Sequence, residues 1–286
     1  MAGARVEKAP AKINLTLRVL ARRADGYHDI ESLVAFAGVG DSLTFTPGRN
    51  AELVVRGPTE AMAGTVADNL VLKAARSLAE RVAGLTLGRF VLAKRLPVAA
   101  GLGGGSSDAA AALRLLARAN RLARNDPRLI QAARAIGADV PVCLDPLPRL
   151  MRGIGDVLSD PLHLPRLHVL LVNPGIMLAT RDVFAALRFF GQTNSAPAWP
   201  GDGGLFIAVL AGAGNDLEEP AIRIAPVIAE VLAGLRDIEG CRLARMSGSG
   251  ATCFGLFEDR AAAVAAARKL RAAHPSWWIR ATTLAG

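Results

Sequence analysis

Between Pro97 and Ser107 the chain reads Pro97-Val98-Ala99-Ala100-Gly101-Leu102-Gly103-Gly104-Gly105-Ser106-Ser107, with Asp108 next. Glycines at this density let a backbone take left-handed turns and approach an anion closely. Where such a loop opens into a helix, the first N–H groups have no intrahelical partners and carry partial positive charge. The chemistry this suits is phosphate binding. Ser106 and Ser107 add hydroxyl donors that could also face Mg2+. The loop is neither of two common nucleotide motifs. No lysine follows Gly105, as a P-loop requires, and serine stands at 106 where a dinucleotide fingerprint needs a third glycine. The plainer alternative is a strand-to-helix turn with a serine cap. Asp108 suits a helix start but opposes an anion there unless it points away or faces Mg2+.

Other groups with chemical potential are scattered. Residues 11–19 alternate, with Ile13, Leu15, Leu17 and Val19 on one face and Lys12, Asn14, Thr16 and Arg18 on the other. That period of two predicts a half-buried strand whose Lys12 and Asn14 point away from the core. Asp25-Gly26 marks a turn, followed at once by Tyr27, the single tyrosine of the chain, and His28. Asp139 stands in Gly137-Ala138-Asp139-Val140-Pro141, where it could cap a short helix. Ser247-Gly248-Ser249-Gly250 joins two apolar runs and could be a simple hairpin turn. Lys12 could equally be a snorkelling lysine, Asn69 an ordinary cap, Lys94 a surface charge, and Tyr27 and Phe184 core aromatics.

The elements that must carry these groups follow from periodicity and punctuation. Residues 88–93 read as a strand entering the glycine loop, and the Ala/Leu/Arg-rich run to 123 as a helix leaving it. Segments 30–37 and 42–45 read as strands around a Gly-rich turn, with 51–55 continuing the β-rich start. Asp68-Asn69 precedes a helical run over 70–82, with Gly84 beyond it. Asp126-Pro127 opens a helix that Gly137 ends. Later come a buried strand at 167–172, a helix at 180–190 and a loop at 191–204 of low apolar content, long enough to be mobile or functional. Helical material follows Asn215-Asp216 to about 235. Strands at 242–246 and 251–257, a helix at 260–273 and a strand at 277–283 complete an α+β pattern with helices on one face.

The 286 residues suggest two domains, divided near 163/164 into 1–163 and 164–286. At 51% hydrophobic and 21% charged the chain can bury a sizeable core. Its net charge of +9 is scattered arginine rather than a cluster, and aromatics are only 5%, which argues against a nucleic-acid surface built on basic and stacking side chains. A phosphate-rich substrate would welcome the positive field. Cys143, Cys241 and Cys253 form no C-x-x-C pair and read as free thiols of a reducing cytoplasm. No signal-peptide core and no apolar run of membrane-spanning length is present in the sequence, so a cytoplasmic protein with no membrane partner is expected.

Four segments invite a joint explanation: Pro10-Ala11-Lys12-Ile13-Asn14-Leu15, residues 97–110, Gly137 to Pro141, and Ser247-Gly248-Ser249-Gly250-Ala251-Thr252. Together with Gly26-Tyr27-His28 they closely resemble the signature of the GHMP kinases, in that family's order, from about residue 6 to 257. The resemblance implies an α/β (α+β) two-domain fold, the N-terminal domain like ribosomal protein S5 domain 2 and the C-terminal domain ferredoxin-like. It implies ATP as phosphoryl donor, with Mg2+, and an alcohol as acceptor. Its details narrow to the branch acting on a small molecule, a cytidine-diphosphate-linked methylerythritol. Asp139 then matches the catalytic aspartate and Lys12 its paired lysine. Residues 97–107 match the ATP loop, and Asn69 and Lys94 match the adenosine side. Asn14, Tyr27, His28 and Phe184 match the substrate side, and Ser247, Gly248, Ser249 and Gly250 the supporting third motif. Asn215-Asp216-Leu217-Glu218 also fits the family. Arg152-Gly153 departs from it, since Glu-Gly is common there. Alternatives are a homoserine- or mevalonate-type kinase, which would not need the cytidine set, and a basic RNA-binding protein on an S5-like fold.

Overall fold

The computed structural model describes residues 4–188, 199 and 203–285. Most of the expected 191–204 loop lies outside them, whereas the helix expected over 180–190 ends within them, at Ala185. In chain order the described elements are β1 (Arg5–Asn14), β2 (Arg18–Arg22), β3 (His28–Gly48), β4 (Glu52–Arg56), α1 (Leu70–Ala79), β5 (Leu87–Ala93), α2 (Gly104–Ala119), α3 (Pro127–Ile136) and α4 (Val140–Leu144). They continue with β6 (Arg149–Gly153), β7 (Val157–Leu158), β8 (Leu167–Asn173), α5 (Thr180–Ala185), α6 (Gly203–Gly212), α7 (Glu218–Ile224), α8 (Val227–Arg236), β9 (Cys241–Met246), β10 (Cys253–Phe257), α9 (Arg260–Ala273) and β11 (Trp278–Ala285).

The chain forms two compact units. The first holds residues 1–11, 40–98 and 103–146. Its strands are the second half of β3, paired antiparallel with β5 from Ser42–Ala93 to Gly48–Leu87, and β4, parallel to β5. Phe45 and Phe90 meet across that pairing, ring centroids 4.8 Å apart. The alanine run Ala109–Ala112 of α2 is wholly buried, and side chains this small let a helix pack closely. The caps are those the sequence predicts: Asn69 accepts from Val71 N at 3.0 Å and Asp126 from Arg128 N at 2.9 Å.

The second unit holds residues 12–39, 99–102 and 147–286. β2 and the first half of β3 form an antiparallel hairpin, and β3 pairs onward with β6. A second group runs β11-β8-β10-β9, all antiparallel. Ile228, Val231, Leu232 and Leu235 of α8 and Ala263, Ala267 and Leu270 of α9 bury their apolar stripes against Leu170, Val172, Phe257 and Ile279 of these strands.

Further expectations change. The strands expected at 30–37 and 42–45 are one unbroken strand, β3. Gly40 sits within it where no side chain fits, because a Cβ there would stand 2.3 Å from Ala9 O. The strand expected over 11–19 is interrupted. Leu15 N and Thr16 N both donate to Leu33 O, at 2.8 and 3.4 Å, and the ladder resumes at Arg18. The polar face of that segment is also not solvated: Lys12, Asn14 and Thr16 are 3 to 4% exposed. Finally, α2 stops at Ala119 rather than 123, where Asn120 caps it and Arg121 turns left-handed at φ 55°.

Candidate active site

The glycine loop is wound with alternating hand. Ala99, Gly101 and Gly103 have φ of 50°, 72° and 58°. Alternation of this kind turns successive N–H groups into one concavity, a shape suited to an oxyanion. The carbonyls are turned to the protein. Ala99 O accepts from Leu178 N (3.3 Å), Ala100 O from Thr252 N (3.1 Å), Gly101 O from Ser247 Oγ (2.9 Å) and Leu102 O from Lys12 N (2.9 Å). Four successive acceptors are thereby held away from any anion the loop receives. Gly103 is the N-cap of α2, and Ser106 and Ser107 lie inside the helix rather than capping it. Gly101 cannot be replaced without movement, since a Cβ would sit 2.2 Å from Ser247 O.

Ser247 links the loop to β1. Its Oγ accepts from Asn14 N at 3.1 Å and donates to Gly101 O. Asn14 Nδ2 donates to Ser32 Oγ at 2.7 Å, and Ser32 Oγ donates to Thr16 O at 2.5 Å. Ser247-Gly248-Ser249-Gly250 is indeed the turn between β9 and β10, with Gly250 N donating to Ser247 O at 3.0 Å. It is also more than a turn, because its side chains and close glycines engage Asn14 and Gly101. Ser249 Oγ lies 2.9 Å from Thr180 Oγ1, at the start of α5.

Of the residues that hold this turn, Asn215, Asp216 and Glu218 lie in the segment that fits the family, and sequence reasoning missed Arg245. Asn215 Nδ2 donates to Met246 O and Gly248 O, both at 2.8 Å, while its Oδ1 accepts from Leu217 N at 3.0 Å. Glu218 Oε2 accepts from Met246 N at 2.8 Å, and Asp216 Oδ2 from Val19 N at 2.7 Å. The buried Arg245 donates to Leu15 O and Leu210 O, each at 2.8 Å, and to Ala213 O. Residues 215–218 gave the advance signal, as a segment that fits the family or simply starts a helix, and Arg245 gave none.

In the first unit, Lys94 is no surface charge. Its Nζ donates to Asp41 Oδ2 at 2.5 Å and Asp108 Oδ2 at 2.7 Å, with all three residues 2 to 4% exposed. Burial works against the ammonium, but Asp108 and Asp41 outweigh it and hold the lysine above its ordinary value. Burial pushes the Asp108 carboxyl up to about 7, with Lys94 pulling down and Asp41 pushing up. Asp41 Oδ1 also accepts from Arg95 N (2.5 Å) and Leu96 N (2.9 Å). Asn69 opens α1, and its neighbour Leu70 lies 3.3 Å from where a Cβ on Gly105 would be. That places the start of α1 beside the loop's exit.

Asp139 belongs to the first unit and Lys12 to the second. Asp139 occupies the N-cap position of α4 but its side chain makes no cap bond, so capping is not its role. Lys12, 3% exposed, is not a snorkelling lysine either. Tyr27 is 58% exposed at the tip of the β2–β3 hairpin, which sets aside a core role. Its neighbour His28 stacks on Phe184, with ring centroids 4.8 Å apart and planes at 30°. Burial, then Arg22, lowers the His28 pKa, so the ring is neutral near pH 7. The unexpected Arg152 sits across the sheet from Glu31, to which it donates at 3.0 Å, while Arg18 takes the other carboxylate oxygen at 3.4 Å. Its charge is absorbed locally.

Comparison with known proteins agrees with this layout. Residues 69–145 match the GHMP kinases N terminal domain and residues 201–276 the GHMP kinases C terminal domain. The 4-diphosphocytidyl-2-C-methyl-D-erythritol kinase of Rhodopseudomonas palustris (strain BisB18) is 58% identical over 289 aligned positions, covering 97% of this chain and 94% of the relative. A crystal structure of 4-(cytidine 5'-diphospho)-2C-methyl-D-erythritol kinase superposes with a TM-score of 0.79 at 37% identity, covering 99% of this chain and 100% of that one. Homoserine kinase from Cytophaga hutchinsonii shares the fold at 17% identity and a TM-score of 0.72, covering 100% of this chain and 97% of its own. Identity at this level along nearly the whole length means that the chain belongs to the 4-diphosphocytidyl-2-C-methyl-D-erythritol kinase family of the GHMP kinases.

Proposed function

We propose that the protein transfers the γ-phosphoryl group of ATP to the 2-hydroxyl of 4-diphosphocytidyl-2-C-methyl-D-erythritol, giving the 2-phosphate and ADP, in the methylerythritol phosphate route to isoprenoids. The observation that carries this reading is the loop of alternating hand at 99–103, its carbonyls tied back, feeding the N-terminus of α2. Phosphoryl transfer asks the protein for positioning, charge neutralisation and a proton acceptor. Asp139 takes the hydroxyl proton as the oxygen attacks. Lys12 stabilises charge at the attacking oxygen or the γ-phosphate. Residues 97–107 bind the triphosphate, with Asn69 and Lys94 on the adenosine side. Asn14, Tyr27, His28 and Phe184 receive the cytidine end, and Ser247 to Gly250 support the loop. The His28–Phe184 pair is what a pyrimidine needs and a homoserine or mevalonate acceptor does not.

Mg2+ bound with the nucleotide would neutralise charge on its phosphates. Among the described residues no three His, Cys, Asp or Glu gather to hold an ion. The half-buried Ser106 hydroxyl offers the oxygen donor Mg2+ accepts. The functional division is residues 1–163 for ATP and 164–286 for the C-terminal domain, and the setting is the cytoplasm. No helix among the described residues is long and apolar enough to cross a membrane.

The test is ADP release with Mg·ATP and a panel of 4-diphosphocytidyl-2-C-methyl-D-erythritol, mevalonate and homoserine. Turnover confined to the cytidine compound is expected. Turnover on another alcohol would keep Asp139, Lys12 and the loop and discard the cytidine contacts. A folded protein active on none would overturn the reading.

A further inference from the structure

Arg245 lies near the end of β9 and is 6% exposed. Its guanidinium serves three backbone carbonyls. Nη2 donates to Leu210 O at 2.8 Å and to Ala213 O, where α6 ends. Nη1 donates to Leu15 O at 2.8 Å. The last carbonyls of a helix lack intrahelical partners and carry partial negative charge, so a cation is favoured there. Leu15 stands where β1 leaves its ladder, with Leu15 N and Thr16 N both donating to Leu33 O. Burial works against the Arg245 charge and Glu218 favours it. The rigid fork of a guanidinium bridges separated acceptors in a way that the single nitrogen of a lysine does not.

Two positions beyond Arg245, Ser247 Oγ accepts from Asn14 N. Arg245 and Ser247 therefore hold successive residues of one segment, Asn14 by its N–H and Leu15 by its carbonyl. The stretch that follows is held too. Leu17 N donates to Gly214 O (3.0 Å), Asp216 N to Leu17 O (2.9 Å) and Val19 N to Asp216 Oδ2 (2.7 Å). Immediately upstream on β1 stand the buried Asn14 and Lys12. The glycine loop keeps separate ties, through Leu178 N, Thr252 N and Ser247 Oγ, and none of these uses the Arg245 side chain.

We propose that Arg245 is a positioning residue for the acceptor alcohol: by fixing Leu15 against the end of α6 it sets where Asn14 and Lys12 stand for the substrate. This rests on the reading of Asn14 and Lys12 as substrate-side and catalytic groups. Arg245 acts through β1, so its loss should register on the acceptor and spare the nucleotide.

The experiment compares the wild type with Arg245→Met, Arg245→Lys and a control, Arg271→Met. Arg271 also donates to a backbone carbonyl, Ile279 O at 2.7 Å, and joins α9 to β11. Each protein is measured for kcat and KM with 4-diphosphocytidyl-2-C-methyl-D-erythritol, for its Mg·ATP dissociation constant and for Tm. Small misplacements of reacting groups cost up to about 100-fold, so Arg245→Met should lose roughly 30- to 100-fold in kcat/KM for the cytidine substrate, with ATP binding within about twofold. Arg245→Lys keeps the charge but reaches fewer carbonyls, and should stand about three- to tenfold below the wild type. Arg271→Met should lower Tm and leave ATP binding and kcat/KM within about twofold. Arg245 variants that lower Tm but keep wild-type kcat/KM would overturn the proposal, as would equal weakening of both ligands. If Arg245→Met does not fold, Arg245→Lys decides by the same two criteria. A folded wild type with no turnover of the cytidine substrate would overturn the reading of the acceptor site itself, and the inference with it.

Discussion

Asp139 opens α4, and its side chain makes no cap hydrogen bond there. The role proposed for it is that of proton acceptor. Asp139→Asn keeps the shape and removes the base, so kcat should fall by about 100-fold or more while the ATP dissociation constant stays put. Single-turnover kinetics with a parallel binding titration measure both. Phe184 gives a different signature. It is half-buried against the core of its unit and still stacks on His28. Phe184→Ala removes the aromatic face proposed to meet the cytosine, worth about 1.4 kcal/mol, so KM for the cytidine substrate should rise about tenfold. KM for ATP should change by less than about twofold. If both constants rise together, Phe184 serves packing alone.

At the scale of elements, the glycine loop depends on its neighbours for its shape. Gly101 holds φ 72°, and a Cβ there would stand 2.2 Å from Ser247 O. Gly101→Ala therefore meets both left-handed strain and a backbone clash. It should cost about 1–3 kcal/mol of stability from strain alone and abolish most ADP release. A denaturation curve and the panel assay read these separately. The loop itself was legible because a run of glycines before a helix has few physical explanations. Its supports were not. Asp41 is 53 positions from Lys94, and Arg245 is 230 from Leu15, and no local pattern announces a polar pair so separated. Alternation misled for β1 for a related reason. A period of two reports which side chains share a face, and here the polar face of Lys12, Asn14 and Thr16 is buried as well. Cap signals are ambiguous in the same way: Asn215 does bond Leu217 N as a cap would, yet its amide also holds Met246 O and Gly248 O.

For the whole molecule, the buried trio of Asp41, Lys94 and Asp108 makes stability depend on pH. The Asp108 carboxyl titrates at about 7 when folded and near 3.9 when unfolded. The folded state then favours the protonated form. Its stabilising contribution is complete below about pH 4 and is lost as pH rises to about 7. Asp108→Asn has no such loss, so calorimetric melts should show the wild type falling behind the variant between those limits, with a constant gap above. The chain's two contact units are interleaved in sequence, which is why one long strand, β3, contributes to both. That interleaving has a consequence in time. Phe36 and Ala37 of β3 find their partners in Ala285 and Leu284. During synthesis at about 5–20 residues per second, those partners emerge roughly 12 to 50 seconds later. Until then the middle of β3 waits with an unpaired edge, exposed to chaperones and to its neighbours on the same message.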